Sequence, residues 1–222
     1  FKNDYDITNN TQGSKETVKG FDRYSQYNFG MSIGTTIYGL FNFKEGKNIE
    51  SIRHVIRPSV SYNIRPSFEE YYDTYIIDAN GNTAEYTRFE DTFFGRPSKV
   101  YSSNIGINVS NNIEAKVRDK DSLATESKKI KILNNLNFST SYNIAADSLN
   151  LSPIRMTAGT TIFENKLNVN IGATFDPYSI NSNGIRINKF NISNGGGLVR
   201  MTSANLNLSY SIDSKSFGSD SK

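Results

Sequence analysis

The sequence contains no cysteine and only one histidine, His54, among its 222 residues. Without cysteine, the chain can form neither disulfide bridges nor thiolate metal sites, although this absence does not identify the compartment. The lone histidine has no second histidine with which to share a metal ion. No nucleophile–base pair, phosphate-binding loop or metal-ligand spacing occurs either. We therefore expect no enzymatic activity, no metal and no cofactor.

Long hydrophobic runs are also missing. No stretch approaches the ~20 consecutive apolar residues that a membrane-spanning helix requires, and the mean hydropathy of -0.53 excludes a helical membrane bundle. The net charge of +3 is too small to indicate nucleic-acid binding. No apolar signal segment follows Phe1. If the protein is exported, we expect this sequence to be a processed chain or an internal piece of one.

What the sequence does have is a two-residue period. In each long run, every second residue is apolar and its neighbours are asparagine, serine, threonine or glycine. A β-strand sends successive side chains to opposite faces, so this period gives one apolar and one polar face. Soluble domains use strands of ~5–6 residues, and these runs are roughly three times as long. The clearest run carries Tyr27, Phe29, Met31, Ile33, Ile37, Phe41 and Phe43 in one phase.

The fold class that this pattern predicts is all-β, an antiparallel up-and-down transmembrane β-barrel. Bacterial single-chain barrels close with an even number of strands, so about seven strands indicate a partial set from a larger barrel. Residues 1–26 are expected to be a polar loop or the end of a preceding strand, 27–213 the barrel segment and 214–222 a polar, flexible tail. The strands are predicted at about 27–43, 49–65, 99–117, 129–145, 153–163, 167–176 and 198–212.

The connectors between these strands predict an orientation, because such barrels have short periplasmic turns and longer extracellular loops. Residues 44–48, 118–128 and 164–166 would then be periplasmic. Residues 66–98, 146–152 and 177–196 would lie outside the cell. Within 66–98, the pair Asn80-Gly81 predicts a small hairpin, since this dipeptide favours a type I′ turn. His54 is expected near the periplasmic interface.

The polar face supplies the candidate site. Two interpretations stay open for its arginines: ordinary lumen charges paired with acids on neighbouring strands, or a cationic track for an anionic cargo. Pro58 lies inside the same strand and cannot donate to the ladder, which predicts a bulge or a weakened pairing. The candidate contacts with cargo or a plug are Arg53, Arg57, Arg65, Asn104, Asn108, Asn112, Asn135 and Asn137.

Four segments, taken in order, resemble the barrel portion of the lipopolysaccharide-assembly outer-membrane family, LptD. They read IRHVIRPSVSYNIRPSF, NNIEAKVRD, SYNIAADSLNLSPI and ATFDPYSI, and the resemblance extends over about residues 27–212. It implies a large barrel in the outer membrane of a Gram-negative bacterium that inserts lipopolysaccharide into the outer leaflet. It also implies four partners: a lipoprotein plug similar to LptE, lipopolysaccharide, outer-membrane lipids and a periplasmic Lpt bridge.

Two other functions would fit the alternation. An outer-membrane porin or substrate transporter would close by itself around a continuous pore. A surface adhesin or scaffold would have no transport role. A soluble β-sandwich is a further structural alternative, but its strands would be shorter and its polar faces richer in lysine and glutamate.

Overall fold

A computed structural model describes residues 2–6, 11–16, 20–44, 48–78, 80–90, 92–118, 127–163 and 166–212, the first two ranges by their backbone alone. The strands within these ranges are β1 (Lys2–Asp6), β2 (Thr11–Glu16), β3 (Phe29–Gly34), β4 (Ile37–Asn42), β5 (Ile49–Arg65), β6 (Tyr72–Ile76), β7 (Thr83–Thr87), β8 (Ser102–Val117), β9 (Lys128–Asn143), β10 (Ile154–Ile162), β11 (Leu167–Asp176), β12 (Tyr178–Ile180), β13 (Arg186–Phe190) and β14 (Arg200–Tyr210).

The long strands form one sheet in the order β14-β11-β10-β9-β8-β5-β3, with β4 also paired to β5. Neighbours in this order follow one another along the chain, apart from the three short hairpins β1-β2, β6-β7 and β12-β13. The all-β, antiparallel up-and-down fold is confirmed, as a partial set of strands whose sheet is not closed. Among the described residues, no helix has the length and hydropathy of a membrane span.

The chain divides into two compact units, residues 1–30 with 63–103 and residues 31–62 with 104–222. In the first unit, an aromatic core surrounds Phe89, whose ring centroid lies 4.6 Å from that of Tyr24 and 5.8 Å from that of Tyr71. The predicted hairpin is confirmed, with β6 paired to β7. Its turn runs from Asp78 to Gly81, whose N–H donates to the Asp78 carbonyl, so Asn80 and Gly81 are not the two central residues that a type I′ turn would require. The second unit contains most of the main sheet and the hairpin β12-β13.

The register of the sheet lines up residues of one kind in rows across the strands. One row joins Val109, Phe138, Met156, Ala173 and Ala204 on β8 to β14. The apolar rows are left open by the described chain: Ile33, for example, is 74% exposed. A soluble sandwich would cover such a face with a second sheet, and exposed apolar surface of this extent marks an interaction surface.

Two register shifts between β8 and β9 preserve this separation of faces. They lie between Asn111 and Glu114, and they place two extra residues in β9 between Lys131 and Leu136. A shift of one residue would turn every later side chain to the wrong face. Because there are two shifts, the phase is restored, and Ala115 pairs with Ile130 on the apolar side.

The predicted strand over 27–43 is interrupted opposite Pro58. The ladder between β4 and β5 pairs Ile37 with Ile56. The same register, continued by two residues, places Thr35 opposite Pro58. The Thr35 N–H donates to the Pro58 carbonyl at 3.1 Å, but proline has no N–H to return. The weakened pairing expected at Pro58 is thus confirmed as a gap between β3 and β4.

The sequence also predicts a loop over 177–196, where the structure has β12 and β13 flanking a turn. The Asn181 side chain organises this turn, because its Oδ1 accepts the N–H groups of Asn183 and Ile185. The expected turn at 44–48, the connector at 118–128, the turn at 164–166 and the tail at 214–222 lie largely or wholly outside the described residues.

Neighbouring positions on β8 should report opposite surroundings in the membrane. Nitroxide labels are placed on cysteines introduced at Ile107 or Asn108 in the full-length protein. We expect the label at 107 to collide with dissolved oxygen and that at 108 with a water-soluble nickel complex, because the side chains point to opposite faces. Equal hydration of both labels would contradict the assignment of the faces.

Pro58→Val should close the gap between β3 and β4. The new N–H can donate to the Thr35 carbonyl, so we expect slower amide exchange around residues 35 and 36 and a gain of about 0.5–1.5 kcal/mol in local stability. Ser59→Thr, which adds no donor to the backbone, is the control. If Pro58→Val leaves exchange at these residues unchanged, the missing donor does not cause the gap.

Candidate functional site

The polar face of β9, β10, β11 and β14 is a grid of amide and hydroxyl side chains. Glycine makes room for the larger amides: a Cβ on Gly159 would lie 2.9 Å from Asn135 Nδ2 and 3.1 Å from Asn170 Oδ1. Apart from Arg155, the grid therefore offers neutral donors and acceptors at close spacing. Its rows are Asn135–Gly159–Asn170–Asn207, Asn137–Thr157–Gly172–Asn205 and Ser139–Arg155–Thr174–Ser203.

The arginines of β5 differ in how they are neutralised. Arg53 Nη2 lies 2.5 Å from Glu114 Oε2, so this charge is paired with an acid on β8. Arg57 Nη1 donates to Asn112 Oδ1 at 2.6 Å, and Asn112 in turn donates to the Asn134 carbonyl. Because this partner is a neutral amide, the hydrogen bond gives Arg57 no counter-charge on the polar face.

The other predicted site residues are distributed as follows. Asn104 faces Asn143 and Asn108 faces Ser139 in the β8-β9 ladder, both in the polar phase. Arg65 belongs to the first unit, where it lines a cavity of about 510 Å³ with Asn63. Thus Arg53, Arg57 and the asparagines lie in the second unit, while Arg65 lies in the first.

A polar pair also occurs in the apolar phase. His54 Nε2 lies 3.1 Å from Asn111 Oδ1, and Asn111 Nδ2 donates to the Leu136 carbonyl at 3.0 Å. Each group therefore has a partner within the sheet, which reduces the cost of placing it on an apolar face. The sequence analysis missed Asn111. The apolar residues of β8 have odd numbers, so the position of Asn111 in the sequence already places it in the apolar phase.

A second group that the sequence analysis missed lies at the end of β11. The Asp176 carboxylate is 3% exposed and accepts the Tyr178 N–H at 3.0 Å. Its Oδ2 lies 2.8 Å from Arg186 Nε and 3.4 Å from Arg200 Nη2, although the Arg186 N–H is not aligned for a hydrogen bond. The Arg186 guanidinium stacks over the Tyr178 ring at 5.3 Å. Asp176 thus fixes the hairpin β12-β13 to the sheet.

Exposed hydrogen bonds and ion pairs in the loops of the first unit shift two pKa values. Hydrogen bonds from Asn82 lower the pKa of the Asp78 carboxyl in the turn between β6 and β7. A hydrogen bond to Glu85 raises the pKa of the Lys99 ammonium, with a smaller contribution from Glu69. Both groups therefore stay charged near neutral pH and hold the loop by charge-assisted contacts.

Asp176→Asn should destabilise the protein far more than loss of an exposed carboxylate. It leaves two partly buried guanidinium groups without a counter-charge, so we expect a loss of about 3–5 kcal/mol and faster proteolysis within 177–196. Glu114→Gln is the control, since the Arg53–Glu114 pair is largely solvated (side chains 55% and 28% exposed) and is worth about 0.2–1 kcal/mol. Denaturant unfolding in detergent measures both, and similar losses would contradict an anchoring role for Asp176.

The comparisons with known proteins identify a family. A family model described as LptD protein matches residues 1–178. No curated protein and no solved structure matches the chain. The matched residues make up more than half of the sequence and include β1 to β11. The chain therefore belongs to the LptD family of Gram-negative outer-membrane proteins, which take part in lipopolysaccharide transport.

Proposed function

We propose that this chain forms part of the outer-membrane barrel that inserts lipopolysaccharide into the outer leaflet. The observation that carries the proposal is the separation of faces in a chain of the LptD family. One face of the main sheet is apolar and open, as contact with hydrocarbon requires, and the other is a grid of amides and hydroxyls. The polar face would line the lumen.

The chemistry of this face suits a saccharide. Sugars present many hydroxyl groups and few charges, and asparagine, serine and threonine side chains both donate and accept hydrogen bonds. Two complete rows of the grid, those of Asn135 and Asn137, carry no charged residue between β9 and β14. A saccharide could form and break neutral hydrogen bonds there without leaving a buried charge unpaired.

Four partners follow from this proposal. They are lipopolysaccharide as the cargo, a lipoprotein plug similar to LptE, the periplasmic Lpt bridge that delivers the cargo, and outer-membrane lipids around the apolar face. The proposed contacts with cargo or plug are Arg53, Arg57, Arg65, Asn104, Asn108, Asn112, Asn135 and Asn137. Arg57 is the best position to test among them, because it is held by a neutral amide and no acid pairs with it among the described residues.

Arg57→Glu should impair cargo passage or plug binding without unfolding the barrel. The substitution puts a negative charge where an anionic cargo would pass, and Arg57 contributes only a hydrogen bond to the sheet. We expect less lipopolysaccharide at the cell surface, or less lipoprotein co-purifying with the protein. Heat-modifiable migration in gels measures whether the barrel still folds.

Arg23→Glu is the matched control, since it changes the charge equally at an exposed position outside the strands. If Arg57→Glu leaves surface lipopolysaccharide and plug retention as they are in the unmodified protein, Arg57 has no part in transport. Measurable pore conductance without any lipoprotein partner would favour a porin instead.

A further inference from the structure

A groove opens on the second unit beside the ends of β9, β10 and β11. It has a volume of about 700 Å³, and hydroxyl side chains from Ser139, Ser141, Ser152 and Thr174 line it together with Arg155. Ser139 and Thr174 are the direct neighbours of Arg155 in the two ladders, so the three side chains share the polar face. The groove thus combines one guanidinium group with several hydroxyls.

Among the described residues, Arg155 has no counter-charge in this groove. Its direct neighbours in both ladders carry neutral hydroxyls. Within the ranges that the structure describes, no carboxylate forms an ion pair with it. By contrast, Arg53 on β5 and Arg200 on β14 each have an acidic partner. The Arg155 donors are therefore available to an anion from outside the chain.

The Asp176 group reinforces the positive charge. Asp176 follows Thr174 by two residues on the same face of β11, about 7 Å farther along the strand. Asp176 pairs with Arg186 and Arg200, whereas Arg155 pairs with no acid among the described residues. The three guanidinium groups and the one carboxylate therefore leave two positive charges in excess.

Unpaired hydrogen-bond donors also occur at this end of the sheet. Arg186 Nη2, Arg200 Nε and the Ser179 hydroxyl are buried and have no hydrogen-bond partner among the described residues. Ser179 itself is only 2% exposed. Buried donors without an acceptor are costly, so this end of the sheet has a surplus of donors as well as of positive charge.

We propose that this groove binds an anionic sugar, with Arg155 contacting a phosphate or carboxylate group and the serine and threonine hydroxyls contacting the ring. A planar guanidinium group matches both anions with paired N–H donors. The buried Asp176 holds Arg186 and Arg200 in place, so that their field adds to that of Arg155. The proposal rests on the proposed function, because the sugar would belong to the lipopolysaccharide that crosses the lumen.

The test uses the full-length protein in detergent and three probes: purified lipopolysaccharide, the same material dephosphorylated, and glucose 1-phosphate. We expect Arg155→Gln to weaken lipopolysaccharide binding about tenfold, while Arg155→Lys, which keeps the charge, loses much less. Arg23→Gln, at an exposed loop position, is the control and should bind like the unmodified protein. Heat-modifiable migration confirms that each variant is folded.

The probes identify the anion and separate the two proposals. If dephosphorylation removes the effect of Arg155→Gln, the group is a phosphate; if the effect persists, it is a carboxylate. If Arg155→Gln and the unmodified protein bind lipopolysaccharide equally well, the proposal that the groove binds an anionic sugar is wrong. The proposed transport function is not contradicted by that result. If the unmodified protein binds no lipopolysaccharide, the proposed function fails. The groove then stands only if glucose 1-phosphate binds and Arg155→Gln abolishes that binding.

Discussion

The structure depends on one constraint: backbone N–H and C=O groups beside hydrocarbon must find their partners within the sheet. Each unpaired group costs several kcal/mol in lipid, where no water can replace the partner. The ladders satisfy this demand along β8, β9, β10, β11 and β14. The two edges of the described sheet, formed by β14 on one side and by β3 and β4 on the other, have the same need. In a bilayer they require further strands beside them, as expected for a segment of a larger barrel.

Departures from a regular ladder are short, because each one leaves few backbone groups without a partner. Between β8 and β9, two register shifts occur close together, so that the apolar phase is lost only briefly. Between β11 and β14, a shift after Thr174 lets Met201 face Phe175. At Pro58 the missing donor faces the gap between β3 and β4, where Thr35 still donates its own N–H. Each irregularity is confined to a few residues, and the faces remain distinct on either side of it.

The long strands could be predicted because their signal is local. The bounds of β5 and β11 agree with the predicted 49–65 and 167–176, since alternation begins and ends with the strand. The gap after Gly34 could be located only from the partner strand, because it is caused by Pro58, 24 residues farther along the chain.

The candidate site could be predicted only in part, because its residues have a local pattern but their contacts join separate strands. Alternation identified the asparagines of the polar grid, but it carries no information about pairing between strands. It therefore could not show that Arg53 meets Glu114 whereas Arg57 meets only an amide. The Asp176 group joins the end of β11, a hairpin arginine and the start of β14. Three separate segments build it, so no single window of sequence contains its pattern.

The distribution of charge on the polar face is suited to passage rather than to tight binding. A pathway must hold its cargo strongly enough to admit it and weakly enough to release it. Uncharged rows such as those of Asn135 and Asn137 can exchange one hydrogen bond for another at little cost, since water and sugar hydroxyls are similar partners. Two guanidinium groups that pair with no acid in the described part of the chain occur beside these rows, at Arg57 on β5 and Arg155 on β10. An anionic saccharide would then pause at the charged positions and cross the amide rows between them, with affinity concentrated at a few points rather than spread along the sheet.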